Sequence, residues 1–417
     1  MLNIHDLIDS GRLWGRVNRL AEFTRDDIPW TRRAFTPLFC EARQWLTQQM
    51  QEAGLKVHLD AAGNLVGRRE GKQQISPLVT GSHCDTVVSG GRFDGIIGVL
   101  AGIEIAHRFR ELNIELRHPL EVIDFLSEEP SDYGISCVGS RAFSGELDSN
   151  MLKAKNQQGE TLADAMRRIG ANPDQLERPL RQSGETAAFV ELHIEQGPVL
   201  ESENIPVGIV THIVGIRRVL ITVTGQPDHA GTTPMNIRRD ALVGASYIIG
   251  QVRDMAESLS GNPSYVVATI GRLTMTPNVP NAVPGWVELM LEVRSDSQQV
   301  LDIFPEQIMK LCREPLRALR LEVKLEHVSR ARPTVCSEKV MQAIASAAEG
   351  LNLDYRHLPS GAGHDTVYVE PTGPVGMIFI PCLNGRSHCP EELISELQLA
   401  HGATVLAQSL INLDECV

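Results

Sequence analysis

The sequence predicts an α/β protein in which a largely parallel sheet is interrupted by a smaller inserted domain. Three observations carry that expectation. Strand-like and helix-like stretches alternate from about residue 56 to 194 and again after 332, the pattern of a sheet built with crossover helices. Between about 213 and 330 the order becomes β-α-β-β-α-β, that of a ferredoxin-like unit, complete in itself. The strands of the first pattern also end repeatedly in histidine or carboxylate residues, where open α/β sheets place their ligands. The expected boundaries are 1–212 for the first part of the main domain, 213–330 for the insertion and 331–417 for the second part.

At 417 residues the chain exceeds one ordinary core, which agrees with two domains. Hydrophobic residues at 42% and charged residues at 22% are globular values. A formal net charge of −13 argues against nucleic acid or an anionic membrane surface as partner. It leaves room for a small anionic substrate, because a cleft can be locally positive. The eight cysteines are scattered without a C-x-x-C pair and read as reduced thiols of a cytoplasmic protein. Met1–Val17 mixes His5, Asp6, Asp9 and Arg12 with its apolar residues and has no secretory core. The longest apolar run, Ile96–Ile103, is too short to span a bilayer.

Taken in order, residues up to about 55 carry helical spacing, as in Ala34–Met50, and stop at Gly54. Short strands are expected at Lys56–Leu59 and Asn64–Arg68. The β-rich run Ile75–Thr80 leads into Gly81-Ser82-His83-Cys84-Asp85-Thr86, followed by Gly90-Gly91-Arg92-Phe93-Asp94-Gly95. Ile96–Leu112 reads as a buried helix, and Leu120–Leu126 as a strand ending in Ser127-Glu128-Glu129. Residues 146–185 are polar and helix-prone with little period, and Ala187–Ile194 is a strand carrying His193 near its end. The insertion offers strands at Arg218–Thr224, Ser264–Leu273, Trp286–Arg294 and Arg320–His327. Its helices are expected at Met235–Leu259 and Gln298–Leu319, the second broken at Pro305 and Pro315. A helix at Glu338–Leu351, a strand at Val375–Ile380 running on to His388, and a helix at Leu393–Leu410 complete the chain.

His83 with Asp94, Glu128-Glu129, His193 and His388 therefore follow four separate strands, which one sheet would gather along one edge. A lone histidine in such a place is more often structural, but four coincidences are hard to produce by chance. Imidazole and carboxylate are the donors that suit Zn²⁺ and its divalent neighbours. The inventory matches two ions about 3.5 Å apart that share a bridging carboxylate. Asp94 is the natural bridge, having two oxygens to share. His83 with Glu129 or His193 would complete one ion, and His388 with the remaining ligand the other. Adjacent glutamates at an extended strand end face opposite ways, so Glu129 is assigned to metal and Glu128 to general base. A base there takes a proton from the attacking water and later gives it to the leaving amine. Asp85 is expected to accept the other N–H of His83 and fix its tautomer.

With these stand Gly139-Ser140-Arg141-Ala142, Leu192-His193-Ile194-Glu195-Gln196-Gly197-Pro198, His229-Ala230-Gly231-Thr232-Thr233-Pro234-Met235, Gly361-Ala362-Gly363-His364-Asp365 and Ser387-His388-Cys389-Pro390-Glu391. Together the motifs resemble the hydantoinase/carbamoylase group of dimetal amidohydrolases: N-carbamoyl-L-amino-acid hydrolases, allantoate amidohydrolases and β-ureidopropionases. The matches run from near residue 60 to near 400. The resemblance implies a metallopeptidase-like catalytic domain with a mostly parallel mixed sheet and an inserted lid that also forms a homodimer. It implies two divalent ions per subunit (Zn, Mn or Co) on His83, Asp94, Glu129, His193 and His388, with Glu128 as base and Asp85 behind them. It further implies substrate contacts by Gln196, His229, Asn281, Arg294, Gly363 and His364, the lid residues completing a partner subunit's site.

Physical roles are available for the lid residues. Arg294 can grip a carboxylate with two parallel hydrogen bonds, and His229 can stabilise a developing oxyanion. Asn281, between Pro280 and Pro284, has an amide free to read a ureido group. The chain departs from the family pattern at Pro130-Ser131-Asp132-Tyr133 and at Thr366-Val367-Tyr368, near where a substrate's variable part would bind. The expected activity is metal-dependent hydrolysis of a carbamoyl or ureido C–N bond in a small carboxylate substrate, with an N-carbamoyl-L-amino acid as first choice. Allantoate and β-ureidopropionate are the nearest alternatives. A dipeptidase or aminoacylase, or a non-catalytic ligand-binding member, ranks below them.

Overall fold

The computed structural model of the protein describes residues 7–261 and 263–417. Met1–Asp6, part of the stretch read for a secretory core, and Asn262 lie outside the described residues. The strands, in chain order, are β1 (Lys56–Leu59), β2 (Leu65–Arg69), β3 (Leu78–His83), β4 (Leu120–Phe125), β5 (Ala188–Ile194), β6 (Val207–Ile213), β7 (Gly215–Thr224), β8 (Asp228–His229), β9 (Val266–Thr276), β10 (Ala282–Val283), β11 (Trp286–Ser295), β12 (Glu322–Ala331), β13 (Thr334–Val335), β14 (Tyr355–Ser360) and β15 (Val375–Ile380). The chain forms two compact units. One runs to Thr211 and takes in Cys336–Leu358 and His364–Val417; the other is His212–Val335 with Pro359–Gly363.

In the first unit the strand order is β1-β2-β4-β3-β5-β15-β6. The four central strands β4, β3, β5 and β15 run parallel, and antiparallel pairs flank them on both sides. Every residue of those four strands is buried, because a parallel sheet is covered on both faces. Successive side chains point to opposite faces. Leu78, Val122 and Val190 join one hydrophobic cluster, while Val79, Ile123 and Phe189 join another. Helix Ile96–Glu111 is buried at twelve positions and packs on β3 and β5, which is why it reads as apolar nearly all round.

The second unit is a four-stranded antiparallel sheet in the order β12-β7-β11-β9, with helices at Ala241–Leu259 and Gln298–Ala318. The chain order is β-α-β-β-α-β. Strand β11 alternates strictly, turning Val287, Leu289, Leu291 and Val293 inward onto Ala245, Ile248, Phe304 and Ile308 of the two helices.

Several expectations change. The first helix of this unit begins at Ala241, where the Asp240 carboxylate accepts from Leu242 N and Val243 N and caps it; Met235–Ile237 is a separate 3₁₀ turn. Gln298–Ala318 runs unbroken through Pro305 and Pro315. Each proline deletes one intrahelical donor, and the apolar face of Leu301, Phe304, Ile308 and Leu316 offsets that loss by packing on the sheet. The first unit resumes at Cys336 rather than 331, because β12 continues to Ala331 and β13 follows it. Pro359–Gly363 falls with the second unit, held there by Arg294 Nη1, which donates to Gly361 O at 2.7 Å.

Candidate metal centre

Four adjacent parallel strands bring the donors together. His83 is the last residue of β3 and His193 the penultimate residue of β5. Past β4, Ser127 adopts φ 52° and turns the chain into Glu128 and Glu129; past β15, His388 itself sits at φ 56°. Asp94 stands just before helix Ile96–Glu111, whose N-cap is Gly95 at φ 68°. A Cβ on Gly95 would lie 2.2 Å from His83 Nε2, so only glycine lets the helix start this close to the imidazole.

Asp94 divides its oxygens between two groups. Oδ1 is 3.0 Å from His193 Nε2 and 3.8 Å from His83 Nε2. Oδ2 is 3.1 Å from His388 Nε2, which is 2.9 Å from Glu129 Oε1. The donor atoms of His83, Asp94 and His193 cluster within 4.8 Å, and so do those of Asp94, Glu129 and His388. The open choice of partner for His83 falls to His193, and Glu129 goes with His388. Glu128 stands beside the first group, its Oε2 3.6 Å from His83 Nε2, and Cys137 Sγ donates to its Oε1 at 3.5 Å.

The Asp85 expectation needs correcting. His83 Nδ1 lies 3.0 Å from the backbone carbonyl of Asp85, while the carboxylate is farther off at 3.6 Å. That carboxylate instead accepts from Glu128 N and Glu129 N, both at 3.2 Å. The chain turns sharply at Ser127 and exposes those two N–H groups, which claim the carboxylate. Asp85 therefore braces the Glu128–Glu129 segment, and its carbonyl rather than its carboxylate holds the imidazole.

The donor set fits divalent cations. Nδ1 of His83 and of His193 each face a backbone carbonyl, at 3.0 and 2.9 Å. Each ring thereby spends its Nδ1 proton: the Nε2 lone pair of His83 is left facing Asp94 and Glu128, and that of His193 accepts from Gly95 N at 3.1 Å beside Asp94 Oδ1. Lone pairs and carboxylate oxygens facing one another in a buried site call for a cation between them. Protonation of the rings answers the same need. Burial alone would lower His83, yet Glu128, Asp85 and Asp94 raise it well above the usual histidine value. His388 is pushed up to about 11 by its bonds to Asp94 and Glu129. Burial would raise Asp94, but the imidazoles hold it well below the carboxylate range. Glu128 is pushed well up by burial, His83 opposing and Glu129 and Asp365 reinforcing.

Of the other expected site residues, Gln196 and His364 border this cluster. Gln196 Nε2 donates to Asp94 Oδ2 at 2.6 Å, leaving Oε1 buried without a partner. His364 is buried edge-on against His193, ring centroids 4.6 Å apart. His229, Asn281, Arg294 and Gly363 belong to the second unit. There β8 pairs with β10 and Ala230 N donates to Asn281 O at 3.0 Å, so His229 and Asn281 are neighbours. His229 Nδ1 accepts from Gly231 N and Thr232 N. Arg294 pairs with Glu292 at 2.8 Å as well as with Gly361 O, and Gly363 is exposed.

Sequence reasoning missed two buried carboxylates. Glu191, inside β5, accepts from Ser82 Oγ at 2.7 Å and Thr366 Oγ1 at 2.5 Å, and it groups with His193 and His364. An acid within an otherwise apolar strand was the available signal. Glu392 accepts from Phe93 N and Asp94 N; burial, with the charge of Asp94, raises it to about 7. Nothing in the sequence separated it from its exposed neighbour Glu391.

A family model described as peptidase family M20/M25/M40 matches residues 79–412. The N-carbamoyl-L-amino acid amidohydrolase of Geobacillus stearothermophilus is 39% identical over 402 residues, covering 96% of this chain and 97% of that protein. The allantoate amidohydrolase of Bacillus subtilis (strain 168) is 33% identical, with 92% of each covered. The crystal structure of a hydantoinase/carbamoylase family amidase from Burkholderia multivorans matches with a TM-score of 0.89 at 34% identity, over 97% of this chain and 98% of that one. With a donor cluster on four parallel strand ends and matches that span nearly the whole sequence, the chain belongs to peptidase family M20/M25/M40, among its hydantoinase/carbamoylase amidases.

Proposed function

We propose that the protein hydrolyses the carbamoyl C–N bond of a small ureido carboxylate, an N-carbamoyl-L-amino acid first, yielding amino acid, ammonia and carbon dioxide. The observation that carries this reading is Asp94, shared between a His83/His193 group and a Glu129/His388 group with Glu128 beside them. Relatives named for N-carbamoyl-L-amino acids and for allantoate support the substrate class. Two divalent ions, zinc, manganese or cobalt, would be held by His83, Asp94 and His193 and by Asp94, Glu129 and His388; bound there, they polarise the ureido carbonyl and acidify water.

The chain's own groups do the rest. Glu128 takes the proton of the attacking water and returns it to the nitrogen as the C–N bond breaks. Burial raises its proton affinity, which suits a group that must hold the proton between those steps. Asp85 keeps Glu128 and Glu129 in register through their backbone N–H groups. Because two N–H groups donate to His229 Nδ1, its ring proton sits on Nε2, ready to donate to a developing oxyanion. Asn281 and Arg294, like His229 on the second unit, would complete a partner subunit's site, reading the ureido group and binding the carboxylate; Gln196, Gly363 and His364 are the remaining substrate contacts.

The second unit acts as a lid and pairs two copies into a homodimer. Supporting this, β9 is an edge strand with Val267 and Leu273 exposed, and Val243, Tyr247 and Ile249 are exposed on helix Ala241–Leu259. Eight free thiols support a reducing, cytoplasmic setting. No helix among the described residues is long and apolar enough to cross a membrane.

The test is ammonia release by metal-reconstituted protein from N-carbamoyl-L-amino acids, allantoate and β-ureidopropionate, beside amine release from dipeptides. Ammonia from a carbamoyl substrate is expected. Dipeptide cleavage without any ammonia-releasing activity would overturn the proposal.

A further inference from the structure

Glu392 is buried, and its contacts lead to the two loops that carry Asp94 and His388. Oε1 accepts from Phe93 N at 2.8 Å and from Asp94 N at 3.1 Å. Oε2 lies 2.9 Å from Ser387 Oγ, which donates to Asp94 Oδ2 at 2.6 Å. The loop before Asp94 leaves room for this carboxyl: a Cβ on Gly91 would lie 1.9 Å from its Oε1. Another fully buried glutamate, Glu104, is neutralised by Arg12 and Arg16 and has an ordinary structural explanation. Glu392 instead meets two backbone N–H groups and a hydroxyl, all adjoining metal donors. Taking a carboxyl out of water is costly, and what this one gains is the mutual placement of Asp94 and His388.

We propose that Glu392 is a positioning residue for the Asp94/Glu129/His388 site, a buried strut that pins the Asp94 loop to the His388 loop before an ion arrives. The proposal rests on the two-ion reading above. Groups of this kind orient ligands without touching the ion, and losing one costs about 10- to 100-fold in metal affinity. A glutamine at 392 keeps the acceptor for Phe93 N and Asp94 N and presents an amide N–H to Ser387 Oγ, so it should serve nearly as well. An alanine at 91 pushes the carboxyl aside without altering any ligand.

The experiment is manganese titration by calorimetry of the chelator-stripped full chain, comparing wild type with Glu392→Ala, Glu392→Gln, Gly91→Ala and the Gly91→Ala/Glu392→Ala double variant. Wild type should take up two ions. Glu392→Ala and Gly91→Ala should each weaken one site about 10- to 100-fold while the other changes less. Glu392→Gln should return close to wild type, and the double variant should be no worse than the single ones, since both remove the same contact. Should Glu392→Ala fail to fold, Gly91→Ala and Glu392→Gln still decide. Two wild-type affinities in Gly91→Ala or Glu392→Ala, or a Glu392→Gln as weak as the alanine variant, would overturn the strut alone. A wild-type protein that takes up no manganese would sink the two-ion reading, and the strut with it.

Discussion

Asp94 offers Oδ1 to His193 and His83 and Oδ2 to His388, and Gln196 and Ser387 donate to Oδ2 as well. Its neighbour in the chemistry is Glu128, the acid near His83 Nε2 that none of the donor groups includes. Glu128→Gln should therefore lower kcat by about 10²- to 10⁴-fold while divalent ions still bind. An active variant with its metal in place would remove Glu128 from the base role. The donors were legible because histidines and acids recur at strand ends, an unusual place for so many. Their division into two groups was not, because β4 and β5 both flank β3 and strand order leaves Glu129 and His193 equally placed; only the donor-atom distances put His193 with His83 and Glu129 with His388. The part played by Asp85 was misread for a local reason. A side chain two residues from His83 can reach the imidazole, but the turn at Ser127 presents two N–H groups that compete for it and win.

At the scale of elements, the central strands announced themselves as apolar runs, as strands buried on both faces do. Strand β11 announced itself by alternation. Caps and breakers were read less well. Helix Ala241–Leu259 starts where the Asp240 side chain accepts from two N–H groups, although helical spacing extends back to Met235. Asp240→Ala should cost about 1 kcal/mol of stability, measured as a lower denaturation midpoint of the intact protein; an unchanged midpoint would deny the cap its role. The prolines of Gln298–Ala318 misled in the opposite direction, since packing outweighs two missing donors. Strands β6 and β14 went unread. The apolar run of β6 has no turn signal to part it from the insertion beginning just after it. In β14, Pro359 and His357 interrupt any alternation.

At the scale of the molecule, the insertion was legible because its strand and helix order changes character near residue 213, where β7 opens the four-stranded sheet. The point of return was less so, because β12 and β13 carry the second unit on to Val335. The short segment Pro359–Gly363 belongs to that unit through contacts distant in sequence, such as Arg294 with Gly361, which no local pattern foretells. Both units hold residues assigned to the reaction, but the proposed chemistry rests on the first, where four parallel strand ends converge on Asp94. The most direct measurement of that claim is anomalous diffraction from crystals grown with manganese. Two peaks should flank Asp94, one within bonding reach of His83 and His193 and the other of Glu129 and His388. No peak beside Asp94, or a single peak that persists at saturating metal, would contradict it.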